Sequence, residues 1–236
     1  MSATTDRLPV YAPGLTLGDV FLRLRAGGLT NARVRDLALI VGGALLIAIG
    51  AWISFDVPQI ALPGIFLPDN PYVPLTLQTF AVLFTGAALG ARRAVASTAL
   101  YLLIGALGFP VWSAMKGDHG GGLARIVSTQ DGAIVLGVTG GYLVGFLLAS
   151  LLVGRLAERG FDRRVRGAAL AMLVGTVAIY AVGLPWLCIA AKLSVTDTFR
   201  YGLFPFLPGD LLKVIVAAGL LPFAWRRLER LEGGRG

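Results

Sequence analysis

The chain has 236 residues, of which 56% are hydrophobic and 14% charged, with a mean hydropathy of +0.76 and a formal net charge of +8. A soluble domain of this size could not solvate so much apolar surface, so the composition excludes an ordinary soluble fold and points to a membrane protein. Cys188 is the single cysteine, which excludes an internal disulfide framework and a cysteine metal cluster.

Residues 1–36 lack a terminal basic patch, an apolar core and a small-residue cleavage site, and so predict a cytoplasmic arm with no secretory signal. Within the arm, Thr16-Leu17-Gly18-Asp19 resembles a capping box leading into Val20, Phe21, Leu22 and Leu24, interleaved with Arg23 and Arg25. That pattern suits a short helix in the cytoplasmic headgroup layer, with a partly ordered tail as the alternative. Six apolar windows follow, at 37–55, 76–91, 94–112, 133–156, 167–191 and 208–225. Each is near the roughly 20 residues that span about 30 Å of hydrocarbon. Only Ala91-Arg92-Arg93 divides the second from the third. The expectation is an all-α membrane protein: six transmembrane helices over 37–225, embedded in the lipid bilayer, then a basic cytoplasmic tail at 226–236.

The positive charge could suggest a nucleic-acid partner, but its distribution argues for topology. Sixteen of the 21 Lys and Arg fall at residues 7–35, Arg92-Arg93, 155–166 and 226–235. The first, third and fifth loops hold only Lys116, Arg125, Lys192 and Arg200. This positive-inside bias predicts that both termini are cytoplasmic and that no nucleic acid is bound.

Several chemistries lack their residues. No G-x-x-x-x-G-K-[ST] loop is present, so the chain itself should not hydrolyse ATP. His119 is the only histidine, in a Gly-rich loop beside Asp118, which predicts a solvated loop residue and no metal site. With no nucleophile elbow and no facing carboxylates, the chain does not read as an enzyme, and no cofactor is expected. A solute-binding or partner-binding membrane subunit fits better.

Four motifs fall on the outer side in this topology: Val73 to Thr79, Gly105 to Trp112, Thr139 to Phe146, and Phe206 to Lys213. In the last, Asp210 and Lys213 stand three residues apart, on one helical face, within an apolar run. An ionised side chain inside a spanning helix costs roughly 2.5–3.5 kcal/mol, so the pair requires a reason. Pro208 suits a helix start and places Asp210 in the first turn, where the helix dipole favours a carboxylate. Lys213 opposes that dipole and must pair, snorkel or bind.

Together these residues resemble the BioY family, the biotin-specific substrate-binding (S) components of energy-coupling factor (ECF) transporters, over residues 60 to 225. The resemblance implies an S-component fold in a bacterial plasma (inner) membrane, with an outward pocket partly covered by loops. It also implies biotin uptake powered by a transmembrane coupling protein and ATPase subunits. Biotin's carboxylate suits an ammonium and its ureido N–H donors suit a carboxylate, so Asp210 and Lys213 are expected to bind it. Gln78 and Thr76 are candidates beside them, with helix capping as the alternative. Tyr142 is a further candidate, against an interfacial belt role. Gly140 and Gly141 would permit either close helix packing or close approach to the ligand. Tyr101 and Tyr180 read as packing or belt residues. Ala44 and Ala48 resemble the docking face for the coupling protein, against packing within the chain.

Three departures from the family stand out: Val138 where proline is usual, a long 112–138 loop and the long arm. They keep open a structural or accessory subunit of a larger membrane assembly, a homo-oligomer, or a different vitamin.

Overall fold

The computed structural model describes residues 14–25, 31–55, 61–62, 65–66, 73, 75–113, 119–120, 122–123, 126–130 and 133–233. Helices dominate them: α1 (Leu17–Arg25), α2 (Ala32–Trp52), α3 (Gln78–Leu89), α4 (Ala91–Ala106), α5 (Gly140–Glu158), α6 (Val165–Ala190), α7 (Val195–Gly202) and α8 (Leu207–Gly233). Short antiparallel pairs join them: β1 (Ser54–Phe55) with β4 (Leu75–Thr76), β2 (Ala61–Leu62) with β3 (Ile65–Phe66), β5 (Trp112–Ser113) with β6 (His119–Gly120), and β7 (Val127–Gln130) with β8 (Ala133–Leu136). His119 of the Gly-rich loop lies in β6; Asp118 lies outside the described residues.

Among the described residues four helices, α2, α5, α6 and α8, are long and apolar enough to cross a membrane. The windows read at 76–91 and 94–112 are shorter helices, α3 of 12 residues and α4 of 16. At 1.5 Å per residue neither reaches across about 30 Å. The break between them is Gly90, whose φ of +78° disfavours any other residue, and not the arginine pair after it. Glu158 then caps α4, its Oε1 accepting from the Ala91 amide at 2.8 Å.

The window read at 133–156 holds two kinds of structure. Ala133–Leu136 pair with Val127–Gln130 as a hairpin, and the helix begins only at Gly140. A continuous apolar run does not distinguish strand from helix, which is why the sequence merged them. The last window likewise ended early, because α8 continues through Arg226 and Arg227 to Gly233. Ser194 accepts from the Asp197 amide at 3.1 Å and starts α7, an element the apolar windows did not foresee.

The capping box forms. Thr16 donates its hydroxyl to Asp19 Oδ2 at 2.7 Å, and the Asp19 amide returns a bond to Thr16 Oγ1 at 3.3 Å. The resulting α1 buries Val20 against Trp225 and Leu228 of α8. Arg93 pairs with Asp19 at 2.9 Å and with Asp36 at 2.8 Å, tying α1, α2 and α4 together. Burial acts to raise the Asp19 carboxyl, but hydrogen bonds from Arg93 and Thr16 and the Arg93 charge outweigh it and hold the group below its ordinary value.

Apolar side chains gain little by leaving lipid for protein, so the bundle closes through small residues. A Cβ on Gly145 of α5 would stand 2.9 Å from the Ile179 carbonyl oxygen of α6, and one on Gly154 would stand 2.4 Å from the Ala91 backbone. Ala44 and Ala48 belong to this packing. They are 3% and 7% exposed and lie in the central core, where they pack within the chain. The outward side of α2 carries Leu37, Leu45 and Ile49 instead.

The two ends of the bundle differ. At one, α1 meets the far end of α8 and the α5–α6 connection. At the other lie the starts of α3, α5 and α8.

Candidate functional site

The starts of α3, α5 and α8, with the middle of α6, surround a cavity of about 750 Å³ of atom-free space, counting its open mouth. Asp210, Lys213, Gln78, Thr76 and Tyr142, all singled out from the sequence, line it. Residues as far apart as 76 and 213 are thus brought to one place.

Asp210 lies in the first turn of α8, its amide donating to the Phe206 carbonyl at 2.8 Å. Its Oδ1 accepts from Lys213 Nζ at 3.1 Å, and Lys213 also donates to Thr79 Oγ1 on α3 at 2.8 Å. Both side chains are about nine-tenths buried. An isolated charge there would be strongly unfavourable, whereas a hydrogen-bonded pair is tolerated. Lys213 therefore resolves its opposition to the helix dipole by pairing. Two of its three ammonium donors are occupied, which leaves one for a solute.

The other carboxylate oxygen, Oδ2, accepts the hydroxyl of Tyr180 from α6. Tyr180 is thus neither a belt nor a plain packing residue. Tyr142 packs edge-on against it, with centroids 6.2 Å apart, and donates to the Gly202 carbonyl at 2.9 Å. On α3, Gln78 Nε2 donates to Tyr101 Oη at 2.8 Å, and Tyr101 donates on to the Val111 carbonyl at 3.1 Å. Thr76 accepts from the Gln78 amide at 3.2 Å, so its capping role and its place in the wall coexist. Leu143, Phe146, Ile179, Phe206 and Trp112 supply an apolar lining around these polar groups.

Gly140 and Gly141 are not among the lining residues. A Cβ on Gly141 would stand 2.1 Å from Trp186 Cβ, and one on Gly140 would stand 2.8 Å from the Trp186 ring. These glycines admit Trp186, whose Nε1 donates to the Gly137 carbonyl at 2.8 Å. Of the two roles open to them, packing is the one the geometry displays.

Thr79, Thr139, Thr176 and Tyr180 also line the cavity and were not singled out as binding residues. A signal existed for two of them. Thr176 and Tyr180 stand four apart on α6, placing two hydroxyls on one face of an otherwise apolar helix.

A helical, multi-pass membrane protein with a mostly apolar cavity and a buried acid–base pair is the class that fold and site define. The BioY family model matches residues 25–230. The chain belongs to the BioY family. It is 35% identical over 192 residues to "Biotin transporter BioY" of Rhizobium etli, covering 78% of this chain and 89% of that one. A relative of the same name in Thermotoga maritima is 32% identical over 184 residues, covering 78% and 91%. The fold also matches a crystal structure described as the S-component for biotin from an ECF-type ABC transporter. There the TM-score is 0.64 and the identity 22%, over 86% of this chain and 95% of the other.

Proposed function

We propose that this protein binds biotin in the cavity between α3, α5, α6 and α8 and takes it up as the S component of an ECF-type transporter. The observation that carries the reading is the Asp210–Lys213 pair in an otherwise apolar cavity, in a chain whose relatives are named biotin transporters. Biotin offers a ureido ring with two N–H donors, an apolar bicycle and chain, and a carboxylate. Asp210 accepts from ureido N–H groups, Lys213 donates its free N–H, and Leu143, Phe146 and Phe206 cover the apolar part. Gln78, Thr76 and Tyr142 complete the wall.

The role is transport and not catalysis. Energy comes from a coupling protein and ATPase subunits, because the chain has no phosphate-binding loop of its own. The clustering of Arg93, Arg163 and Arg226 at the end of the bundle away from the cavity supports cytoplasmic termini and an outward-facing site. In that arrangement α3 and α4, each shorter than the hydrocarbon is thick, make up six passes of a bacterial inner membrane only together with their flanking segments or with local thinning of the bilayer.

Equilibrium titration of the purified protein with labelled biotin tests the reading. Saturable binding, lost in Asp210→Asn and in Lys213→Ala, is the expected result. Unchanged affinity in both variants would overturn the assignment of the site, and tight binding of thiamin or riboflavin instead would overturn the assignment of the vitamin.

A further inference from the structure

At the end of the bundle away from the cavity, the connection between α5 and α6 forms a second concavity. It is lined by Arg159, Arg163, Arg164 and Arg166 together with Phe161 and Gly167. The close fold-back of this segment depends on Gly167, where a Cβ would stand 2.3 Å from the Phe161 carbonyl oxygen.

The two acids of the same segment are turned away from the cleft. Glu158 is spent on the Ala91 amide, and Asp162, 1% exposed, receives the Trp225 indole N–H at 2.5 Å. Arg163 is engaged on the inner side, over the Trp225 ring at 4.9 Å and on the Leu15 carbonyl at 3.4 Å. Among the described residues no carboxylate pairs with Arg159, Arg164 or Arg166. Among the described residues, Arg159, Arg164 and Arg166 thus leave the cleft cationic with no carboxylate paired to them.

The positive-inside rule asks only for a number of basic residues near a span. It does not ask that they converge on one concavity while the neighbouring acids are withdrawn. A second feature narrows the ligand. Arg166 heads a face of α6 that continues through Leu170, Leu173 and Val177, which are 50%, 48% and 66% exposed. These positions follow the spacing of one helical face, so a guanidinium sits one turn from an uncovered apolar strip.

We infer that this cleft binds the headgroup of an anionic phospholipid, its phosphate held by Arg159, Arg164 and Arg166 and its acyl chains lying along Leu170, Leu173 and Val177. Guanidinium groups suit phosphate oxygens, and basic pockets between spanning helices are known sites for such headgroups. A free phosphate would use the arginines but gain nothing from the strip.

Native mass spectrometry of the full chain in neutral detergent decides the matter, with phosphatidylglycerol and phosphatidylcholine of identical acyl chains added in turn. The wild type should retain phosphatidylglycerol at least about tenfold more tightly, and the triple variant R159Q/R164Q/R166Q should retain the two lipids alike. Should the triple variant not remain monodisperse, Arg166→Gln alone must reduce the preference. Equal retention by the wild type, or a preference unchanged in the variants, would overturn the inference. So would complete displacement of phosphatidylglycerol by millimolar inorganic phosphate, which would mark a free-anion site.

Discussion

Tyr180 on α6 donates its hydroxyl to Asp210 on α8, while Lys213 holds the other oxygen of the same carboxylate. Each of the two oxygens thus has one protein partner and spare lone pairs, and the carboxylate is fixed in orientation before a solute arrives. Preorganisation of this kind reduces what the ligand must order on binding.

Tyr180→Phe should weaken biotin binding by about tenfold, since it removes one hydrogen bond to a charged group and leaves the ring in place. Isothermal titration measures it. An affinity equal to wild type would mean that the tyrosine does not orient Asp210.

The acid and base should be strongly coupled in stability. Lys213→Ala leaves a buried carboxylate unpaired, which costs roughly 3–5 kcal/mol in such settings, whereas D210N/K213M removes both charges together. Thermal unfolding in detergent should therefore rank the double variant above the Lys213→Ala single. Additive losses would contradict the pairing.

Glycines of the bundle should divide by what their missing Cβ would meet. Gly141→Ala would press on Trp186 and should destabilise by about 1–3 kcal/mol. Gly42→Ala, on the outward side of α2 with nothing within 4 Å, should not destabilise and should favour the helix. Melting temperatures of the two variants, measured side by side, check the contrast.

Asp162 lies in the connection between α5 and α6, where burial pushes its carboxyl up to about 6 in spite of the Trp225 hydrogen bond and the nearby Arg163. A carboxyl raised in the folded state contributes stability below its unfolded value near 3.8 and loses that contribution as pH rises through about 6. Asp162→Asn should flatten the slope of stability between pH 4 and 6, the window these two values set. Thermal shifts across that range provide the test, and parallel curves for the two proteins would refute it.

Arg93 joins α1 to the bundle through Asp19 and Asp36. Arg93→Gln should release α1 while leaving the cavity at the other end intact. Faster hydrogen exchange in residues 17–25, with unchanged biotin affinity, is the expected pattern.

Much of the fold was legible in the residues because lipid imposes simple rules on length and charge. The windows at 37–55, 167–191 and 208–225 overlap α2, α6 and α8 along most of their length. The same rules failed at 133–139, where β-branched residues pair across a hairpin and an apolar run carries no period to expose them. The cavity was legible where charge had to be explained, at Asp210 and Lys213, and where polar residues stood at the helix start of Gln78. Tyr180 was missed because a tyrosine in a span has common bland roles, and only its partner on another helix distinguishes it.

Composition and charge order thus determined by themselves that the chain is a multi-pass membrane protein, which way its basic segments favour it to lie, and that one acid–base pair needed an explanation. These follow from the energy of placing each residue in water or hydrocarbon, which depends on local sequence. Which helix supplies the partner to each charge was decided only by the tertiary structure. So was the packing seen at Gly140, Gly141, Ala44 and Ala48, because contacts between residues tens of positions apart, such as Gly141 and Trp186, are set by how helices meet. The Lys213 ammonium found its second partner, Thr79, 134 positions away.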